Sequence, residues 1–469
     1  MANWLGAHDM PGSAFAPPRG DANAGAAIPL GKLKTDHGAA TQPIAYHGRA
    51  HMFCVAPSGA GKSQALAIPA LLTWPHSVIV LDVKGELYYR TAGYRIATLG
   101  QKVYRFDPSD PGSNKFNPLA FINRDTFQIE QSIADIAEVL VPIPPNAREP
   151  FFLRAARQII EIVLHYECVE SPETVSMQDF LASCYDPALF LRLVEEIGQD
   201  DEQKFLKSTQ NLARGLRGQF FESDGRLTRT AQSVWAELSN QLAALNTEQI
   251  REITNDTHWQ PLDLRKGNTT VYVTLPPNAK GQYRTIMALV LNAHLGLLLD
   301  RLPEHDAPPT LLLLDEMPQL GHMRGIEQVI DLGRGYGLLL YGFAQRRKQI
   351  EDAYGSAGDF LGTFEARAYM NPSPEDGSAE MLSRAIGERQ VPAMSGGGMQ
   401  QVPVAPIHDL CGQSFRDDII VLSRGASPAR VQKEFVTSNP VLKDRLDQDA
   451  PAREKYAPTA SSMPDRGEV

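Results

Sequence analysis

Short apolar runs alternate with helical stretches before residue 110 and again after residue 268. The runs are rich in β-branched and aliphatic residues, and many end at glycine or at a charged residue. Strands of a parallel sheet are buried on both faces, so they read as continuous apolar runs. The pattern therefore predicts an α/β fold with a mostly parallel central sheet and helices on both faces. The predicted strands are residues 51–55, 77–82, 102–106, 269–275, 310–314, 337–343, 366–370 and 418–422.

A different periodicity occupies the stretch between these two regions. Ile129, Ile133, Ile136 and Leu140 fall on one helical face, and similar spacing continues without a convincing strand pattern. This regularity predicts an all-α domain inserted between strands of the sheet. The predicted domains are residues 46–124 with 250–436 for the sheet domain and residues 125–249 for the all-α insertion.

The two ends of the chain are weakly patterned. Residues 1–45 are rich in proline, glycine and alanine, and we expect an extended lead-in with little core of its own. Residues 437–469 are polar, carry several prolines and mixed charge, and are expected to be a disordered tail.

Composition narrows the class of protein further. The formal net charge is −10 and the isoelectric point is near 5.6, which argues against a broad basic surface that coats duplex DNA. A local basic lining of a groove or channel stays open, because net charge does not describe distribution. The four cysteines lack metal-like spacing, so reduced thiols are favoured over a zinc site. The most apolar stretch, residues 286–299, is shorter than the about 20 residues that a membrane span needs.

A glycine-rich turn follows the first predicted strand and precedes a predicted helix over residues 64–74. Glycines let successive backbone N–H groups point at a phosphate, and a lysine then reaches the β- and γ-phosphates while a hydroxyl binds Mg²⁺. Ala56 stands where such a loop usually has its first glycine. The alternative interpretation of this segment is a glycine-rich turn that binds no ligand. The residues predicted to bind nucleotide are Ser58, Gly59, Ala60, Gly61, Lys62 and Ser63, of which Ser63 also binds the metal.

Two carboxylates follow the apolar run at residues 310–314. Because the carboxyl ends of parallel strands share one edge of the sheet, Asp315 is predicted to hold Mg²⁺ beside Ser63. Glu316 is predicted to polarise the water that attacks the γ-phosphate. Many buried strands end in solvated acids, so this prediction depends on the phosphate loop. Asp82 ends another predicted strand, and two readings stay open for it: a residue facing the site, or a polar turn.

Two further polar residues flank the next predicted strand. Arg334 lies in a glycine-flanked loop from which it can reach the γ-phosphate of a neighbouring subunit and stabilise the transition state. Gln345 ends the strand and can sense the γ-phosphate. The alternatives are a surface arginine and an ordinary polar strand end.

Together these stretches resemble the type IV coupling proteins of bacterial conjugation and type IV secretion, the VirD4/TraG family. The resemblance covers roughly residues 45–436, and the family also shows alanine followed by proline at the start of its phosphate loop. The matching stretches are residues 55–63, 68–75, 80–87, 106–108, 116–119, 149–152, 314–321 and 333–337.

This resemblance implies a RecA-like P-loop NTPase with an inserted all-α domain, using ATP and Mg²⁺. It implies a homo-oligomeric ring, with a hexamer as the candidate size, on the cytoplasmic side of the bacterial inner membrane. The expected partners are a relaxase–DNA complex or protein effectors, single- or double-stranded DNA, and inner-membrane components of the secretion system. The resemblance also implies that Arg334 acts across the subunit interface and that Gln345 lies in the site.

One departure concerns the membrane. Family members usually begin with transmembrane helices, and this sequence shows none. We expect either a soluble portion of a longer protein or a branch that borrows its anchor from a partner. Three functions therefore compete: a DNA-transfer coupling ATPase, a coupling ATPase for protein effectors without a DNA role, and a non-hydrolysing adaptor regulated by nucleotide.

Overall fold

The structure of the chain is a computed structural model. It describes residues 4–6, 9–10, 14–17, 27–35, 38–48, 50–144, 147, 150–274, 280–392 and 398–446. The strands are β1 (Phe15–Ala16), β2 (Ile28–Lys34), β3 (Ala40–Tyr46), β4 (Met52–Val55), β5 (Val78–Asp82), β6 (Lys102–Phe106), β7 (Thr269–Thr274), β8 (Thr310–Leu314), β9 (Leu338–Ala344), β10 (Ala366–Met370), β11 (Glu388–Pro392), β12 (Met399–Pro403), β13 (Asp418–Ser423) and β14 (Ala429–Gln432).

Helices fill the intervals between the strands, with short 3₁₀ turns among them. The α-helices are α1 (Ile68–Thr73), α2 (Glu86–Ala97), α3 (Ile129–Leu140), α4 (Phe151–Glu170), α5 (Met177–Tyr185), α6 (Pro187–Gly198), α7 (Lys207–Phe220), α8 (Arg229–Leu242), α9 (Glu248–Thr254), α10 (Lys280–Asp300), α11 (Arg324–Leu332), α12 (Arg347–Tyr354), α13 (Ala357–Thr363), α14 (Ser378–Ile386), α15 (Ile407–Leu410) and α16 (Pro440–Leu446).

A 12-stranded sheet organises the molecule, in the order β1-β3-β2-β14-β13-β10-β4-β9-β8-β5-β7-β6. From β10 to β6 every neighbouring pair is parallel, whereas β13, β14, β2, β3 and β1 extend the sheet by antiparallel pairing. The predicted α/β class and its central strands are confirmed. Strands β11 and β12 form a separate antiparallel hairpin.

Two hydrophobic cores lie on opposite faces of the sheet. Along β8, Leu312 and Leu314 belong to one core, while Leu311 and Leu313 belong to the other. Successive side chains of a strand point to opposite faces, so a continuous apolar run serves both layers at once. This explains why the central strands carry no alternation in the sequence.

Helices α3 to α9 lie between β6 and β7 in the sequence. They contribute to the core that contains Leu312 and Leu314, and α3 packs against α10. Their apolar faces match the periodicity in the sequence. The proposed end of the all-α insertion at residue 249 falls within α9, so the helical stretch continues to Thr254.

The prediction for residues 1–45 is wrong where the structure describes them. Strands β2 and β3 extend the main sheet. Their residues Leu30, Leu33 and Ile44 are buried in the same core as Leu311 and Leu313. The alternation of buried and partly exposed positions along β2 is short, and it is interrupted at Gly31, which is buried next to Leu30. Tertiary pairing with β14 outweighs the weak local propensity of this segment.

The prediction of a disordered tail is also wrong for its first part. Helix α16 packs on α1 and α2, and Leu442 is buried. The side chain of Asn439 accepts hydrogen bonds from the backbone N–H groups of Val441 and Leu442 and so caps the first turn. Residues 447–469 of the predicted tail lie outside the described residues. Within the described part of the chain, every helix is too short or too polar to cross a membrane.

Candidate functional site

The glycine-rich loop leaves the carboxyl end of β4, which lies between β9 and β10 in the middle of the sheet. The backbone N–H of Ala56 donates to the carbonyl of Ala344 at 2.9 Å, so the start of the loop continues the pairing with β9. Gly59 and Gly61 have φ values of 79° and 88°, a region that residues with a side chain rarely adopt. The chain then enters a π-helical turn, Ser63–Ala67, which continues into α1.

The exposed part of this loop is suited to binding an anion. Ser58 and Gly59 are exposed, and a Cβ atom added at Gly59 would meet open space. Ala60 and Lys62 are buried beneath them. Successive N–H groups in a loop that alternates helical handedness form a concavity for phosphate oxygens, so the loop fits the nucleotide predicted for it.

Lys62 contacts both carboxylates at the end of β8. Its Nζ lies 3.0 Å from Oδ1 of Asp315 and donates a short hydrogen bond to Oε1 of Glu316. All three side chains are nearly inaccessible to solvent. Burial lowers the pKa of Lys62, but the two carboxylates outweigh it and raise this pKa above its ordinary value. Burial raises the pKa of Asp315, although Lys62 opposes the change.

Glu316 has a left-handed backbone, with φ 58° and ψ 41°. A non-glycine residue in this region stores strain that the surrounding structure must support. The backbone turns sharply here from β8 into the 3₁₀ turn Met317–Leu320. Within the described part of the chain, Oε2 of Glu316 is buried and has no hydrogen-bond partner. The strained turn therefore holds a carboxylate with a spare acceptor oxygen beside the phosphate loop.

Gln345 follows β9 and extends the same cluster. Its Nε2 donates a 2.5 Å hydrogen bond to Oε1 of Glu316. Its own backbone N–H donates to Oε1 of Gln349 at 3.0 Å, which fixes the start of α12. The structure thus brings Lys62, Asp315, Glu316 and Gln345 together.

Asp82 ends β5, next to the strand that carries Asp315. It is completely buried, and its Oδ2 accepts a 2.8 Å hydrogen bond from the backbone N–H of Tyr88 in the first turn of α2. Its Oδ1 has no hydrogen-bond partner among the described residues. Burial, together with the nearby charge of Asp315, raises the pKa of Asp82 to about 7. Asp82 thus supports the start of α2 and also borders the acidic pair.

Arg334 is not part of this cluster. It is exposed in the loop before β9, at the edge of the sheet opposite the phosphate loop. The length of β9, Leu338–Ala344, separates the two edges by roughly 20 Å. Arg334 therefore cannot reach a phosphate held by Lys62 of its own chain, and its predicted role requires a second subunit.

Mg²⁺ at a phosphate-binding site does not have to be held by protein side chains alone. Among the described residues, no group of three or more His, Cys, Asp or Glu could hold a metal ion. In phosphoryl-transfer sites Mg²⁺ is held by one or two carboxylates with phosphate oxygens and water. The hydroxyl of Ser63 and the carboxylate of Asp315 suit that arrangement.

Sequence reasoning missed three residues near the loop. The ring of Phe435 packs against Gly61, where an added Cβ would lie 2.6 Å from it. The Nζ of Lys433 donates to Oδ1 of Asn371 at 2.7 Å, at the carboxyl end of β10. Asn371 directly follows a predicted strand, and this place in the sequence could have marked it as a candidate site residue. Its backbone φ is 45°. No local pattern marks Phe435, because its contact joins distant parts of the chain.

Known protein sequences match most of this chain. A family model described as "Type IV secretory system Conjugative DNA transfer" matches residues 21–397. The conjugal transfer protein TraG of Escherichia coli is 25% identical over 363 residues, covering 73% of this chain and 56% of TraG. Protein VirD4 of Rhizobium radiobacter is 28% identical over 356 residues, covering 74% of this chain and 49% of VirD4. The chain thus spans about half the length of the curated relatives it matches.

Solved structures show the same fold. The plasmid coupling protein TrwB, in complex with a non-hydrolysable GTP analogue, superposes with a TM-score of 0.61 at 15% identity. The match covers 82% of this chain and 86% of TrwB. VirB4 of Thermoanaerobacter pseudethanolicus has a TM-score of 0.51 at 14% identity, covering 90% of this chain and 99% of VirB4.

Proposed function

This chain belongs to the Type IV secretory system Conjugative DNA transfer family, and from that premise we propose that it is an ATP-hydrolysing coupling protein. It recruits relaxase-bound DNA to a type IV secretion channel and helps to drive DNA transfer during conjugation. The observation that carries the proposal is the cluster of Lys62, Asp315, Glu316 and Gln345 beside an open phosphate loop. TrwB, which shares the fold, binds ADP with Mg²⁺ and a non-hydrolysable ATP analogue.

Each residue of the cluster has a chemical role in this proposal. Residues 58–63 hold the phosphates, with Lys62 pairing with the β- and γ-phosphates. Ser63 and Asp315 hold Mg²⁺, which neutralises charge that develops on the phosphate oxygens. Glu316 orients and polarises the attacking water, and Gln345 fixes the carboxylate of Glu316 through their hydrogen bond.

Lys62 must exchange partners during the cycle. Its ammonium lies on the two carboxylates, and phosphate oxygens compete for the same charge. When Lys62 turns to the phosphates, it releases Asp315 for the metal and Glu316 for water. This exchange of partners links occupancy of the loop to activation of the acidic pair.

The assembly proposed for this protein is a homo-oligomeric ring, with a hexamer as the candidate size. The exposed position of Arg334 at the opposite edge of the sheet supports a role at the nucleotide of a neighbouring subunit. In this proposal the ring works at the inner face of the bacterial inner membrane, together with inner-membrane components of the secretion system.

The experiment that tests the function measures ATP hydrolysis by the purified chain without DNA and with single- or double-stranded DNA, at low and high salt. We expect DNA to stimulate hydrolysis and high salt to remove the stimulation, because DNA contacts depend on counterion release. The Lys62→Ala variant is the control for contaminating ATPases. Mass measurement of the sample reports the size of the assembly.

A second candidate is a coupling ATPase for protein effectors, which the net charge of −10 favours. Hydrolysis that is indifferent to DNA and stimulated by an effector protein would support this candidate over DNA transfer. Nucleotide binding without any hydrolysis would instead support a non-hydrolysing adaptor.

A further inference from the structure

The chain does not stop at the sheet after β14. Residues 433–446, called here the C-terminal strap, run from the end of β14 past the phosphate loop to α1 and α2. Strand β14 is separated from the loop-bearing strand β4 by β13 and β10, so the strap crosses the carboxyl end of β10 to reach the loop. The strap also lies beyond residue 397, where the match to the family model ends.

The strap is anchored at its first residue. The backbone N–H of Lys433 donates to the carbonyl of Asp417 at 2.8 Å. Its Nζ donates to Oδ1 of Asn371 at 2.7 Å and to the carbonyl of Arg416 at 2.6 Å. Burial lowers the pKa of Lys433, whose side chain is nearly inaccessible. A buried ammonium that donates two hydrogen bonds fixes this end of the strap to the sheet.

The far end of the strap is anchored on helices that follow the loop. Arg445 in α16 donates from Nη1 to the carbonyl of Leu72 at 2.6 Å, at the end of α1. Its guanidinium also lies 5.2 Å from the ring centroid of Tyr94 in α2, a cation–π contact. With Leu442 buried, α16 is held by apolar, polar and cation–π contacts together.

Between these anchors the strap touches the loop itself. The ring of Phe435 lies against Gly61, and the N–H of Val436 donates to the carbonyl of Gln64 at 3.0 Å. Gly61 has a φ of 88° and no Cβ, which gives the ring room to approach the backbone. The N–H groups of Ser438 and Asn439 donate to the carbonyl of Phe435 at 2.8 and 3.2 Å, so the strap turns tightly at the ring.

We propose that Phe435 is a positioning residue for the phosphate loop, and that the strap holds the loop in its triphosphate-binding conformation. The inference rests on the proposed function, since it concerns the same nucleotide site. A loop that depends on left-handed glycines is free to adopt other conformations unless something packs against it. The ring of Phe435 removes that freedom at Gly61, directly before Lys62.

The test compares the full chain with Phe435→Ala, Phe435→Leu and Phe121→Ala. Phe121 is a matched control, because it is half-buried like Phe435. Its ring stacks on Phe116, with centroids 5.0 Å apart. The measurements are the binding of inorganic tripolyphosphate and of ATP, the KM and kcat for ATP, and Tm. Tripolyphosphate has no base or ribose, so it reports on the loop alone.

We expect Phe435→Ala to weaken the binding of tripolyphosphate and of ATP by about 10-fold each, because small displacements of a binding group are costly. The KM for ATP should rise similarly while kcat changes by less than about twofold. Phe435→Leu should keep most of the wild-type affinity for tripolyphosphate and ATP, because leucine keeps apolar bulk against Gly61. Phe121→Ala should lower Tm without changing the affinity for tripolyphosphate.

Two results would overturn the inference. One is unchanged affinity of Phe435→Ala for tripolyphosphate; the other is weakened binding of ATP alone, which would make Phe435 a base contact. If Phe435→Ala does not fold, Arg445→Ala releases the far anchor and should weaken tripolyphosphate binding by about threefold; unchanged affinity would then reject the strap. A wild-type chain that binds neither ATP nor tripolyphosphate would contradict the proposed function itself.

Discussion

The ammonium nitrogen of Lys62 lies 3.0 Å from Oδ1 of Asp315, and both side chains are almost completely buried. The pair joins the phosphate loop after β4 to the acidic end of β8, across the intervening strand β9. A buried ion pair of this kind contributes little net stability but is costly to break from one side. It therefore makes the two halves of the site depend on each other.

Replacing Lys62 by Met should abolish nucleotide binding and also destabilise the chain. Without the ammonium, Asp315 and Glu316 stay buried beside each other without a compensating charge, which costs about 3 kcal/mol. Urea unfolding at neutral pH measures the stability, and equilibrium nucleotide binding measures the function. The double variant Lys62→Met with Asp315→Asn should recover part of the stability but none of the binding; no recovery would contradict the pairing.

Replacing Glu316 by Gln should trap bound ATP while reducing kcat by about 100-fold, because the amide cannot polarise water as a carboxylate does. The size of the side chain is kept, and its carbonyl oxygen can still accept from Lys62 and Gln345. Single-turnover hydrolysis and nucleotide retention on a filter measure the two effects. Unchanged turnover would remove Glu316 from the mechanism.

Replacing Gln345 by Ala should reduce kcat by about 10-fold with little change in ATP affinity, since the lost hydrogen bond only orients Glu316. Gln349→Ala is the matched control, because Gln349 caps the start of α12 through the backbone of Gln345 and Arg346 and is not bonded to Glu316. Steady-state kinetics of both variants separate the two roles. Equal losses of kcat in both would assign Gln345 to the helix start alone.

Replacing Arg334 by Ala should impair hydrolysis only in the assembled protein, because Arg334 lies at the edge of the sheet opposite its own loop. A mixture of Arg334→Ala with Lys62→Ala can form hybrid interfaces in which an intact loop meets an intact arginine. We expect such a mixture to recover activity that neither variant has alone. An Arg334→Ala monomer that has lost hydrolysis relative to the wild-type monomer would contradict a role across the interface.

The stability of the chain should fall as pH decreases from 7 to 5, in part through His294. This residue is completely buried in α10, accepts a 2.9 Å hydrogen bond from Nε1 of Trp259, and has a pKa lowered by burial to about 4. Between about pH 6.5 and 4 the unfolded state binds a proton that the native state excludes, so stability is lost as pH falls.

At pH 5 the contribution of His294 to this loss is about 2 kcal/mol. His294→Gln should therefore flatten the dependence of the unfolding free energy on pH between 5 and 7, whatever its effect at pH 7. His408→Gln, at an exposed side chain, is the control for replacing a histidine by glutamine elsewhere in the chain. Urea unfolding at several pH values measures both, and an unchanged slope in His294→Gln would contradict the prediction.

Local patterns in the sequence determined the central strands, the helical stretch between β6 and β7, and the chemistry of the phosphate loop. A parallel strand buried on both faces and a loop with glycines before lysine are each specified by neighbouring residues, so no distant partner is needed to recognise them. The same reasoning predicted Asp315 and Glu316 at the carboxyl end of β8. It did not find β2, β3 or α16, because weak local propensity is overcome there by pairing with β14 and by packing on α1.

Only the tertiary structure decided which of the predicted residues meet. It brings Gln345 onto Glu316 and leaves Arg334 at the opposite edge, because side chains at the two ends of β9 are separated by the length of the strand. It also lays the ring of Phe435 on Gly61, a contact between distant positions of the chain that no local pattern encodes. Local sequence specified the chemical groups of the site, whereas the packing of distant segments set their distances and partners.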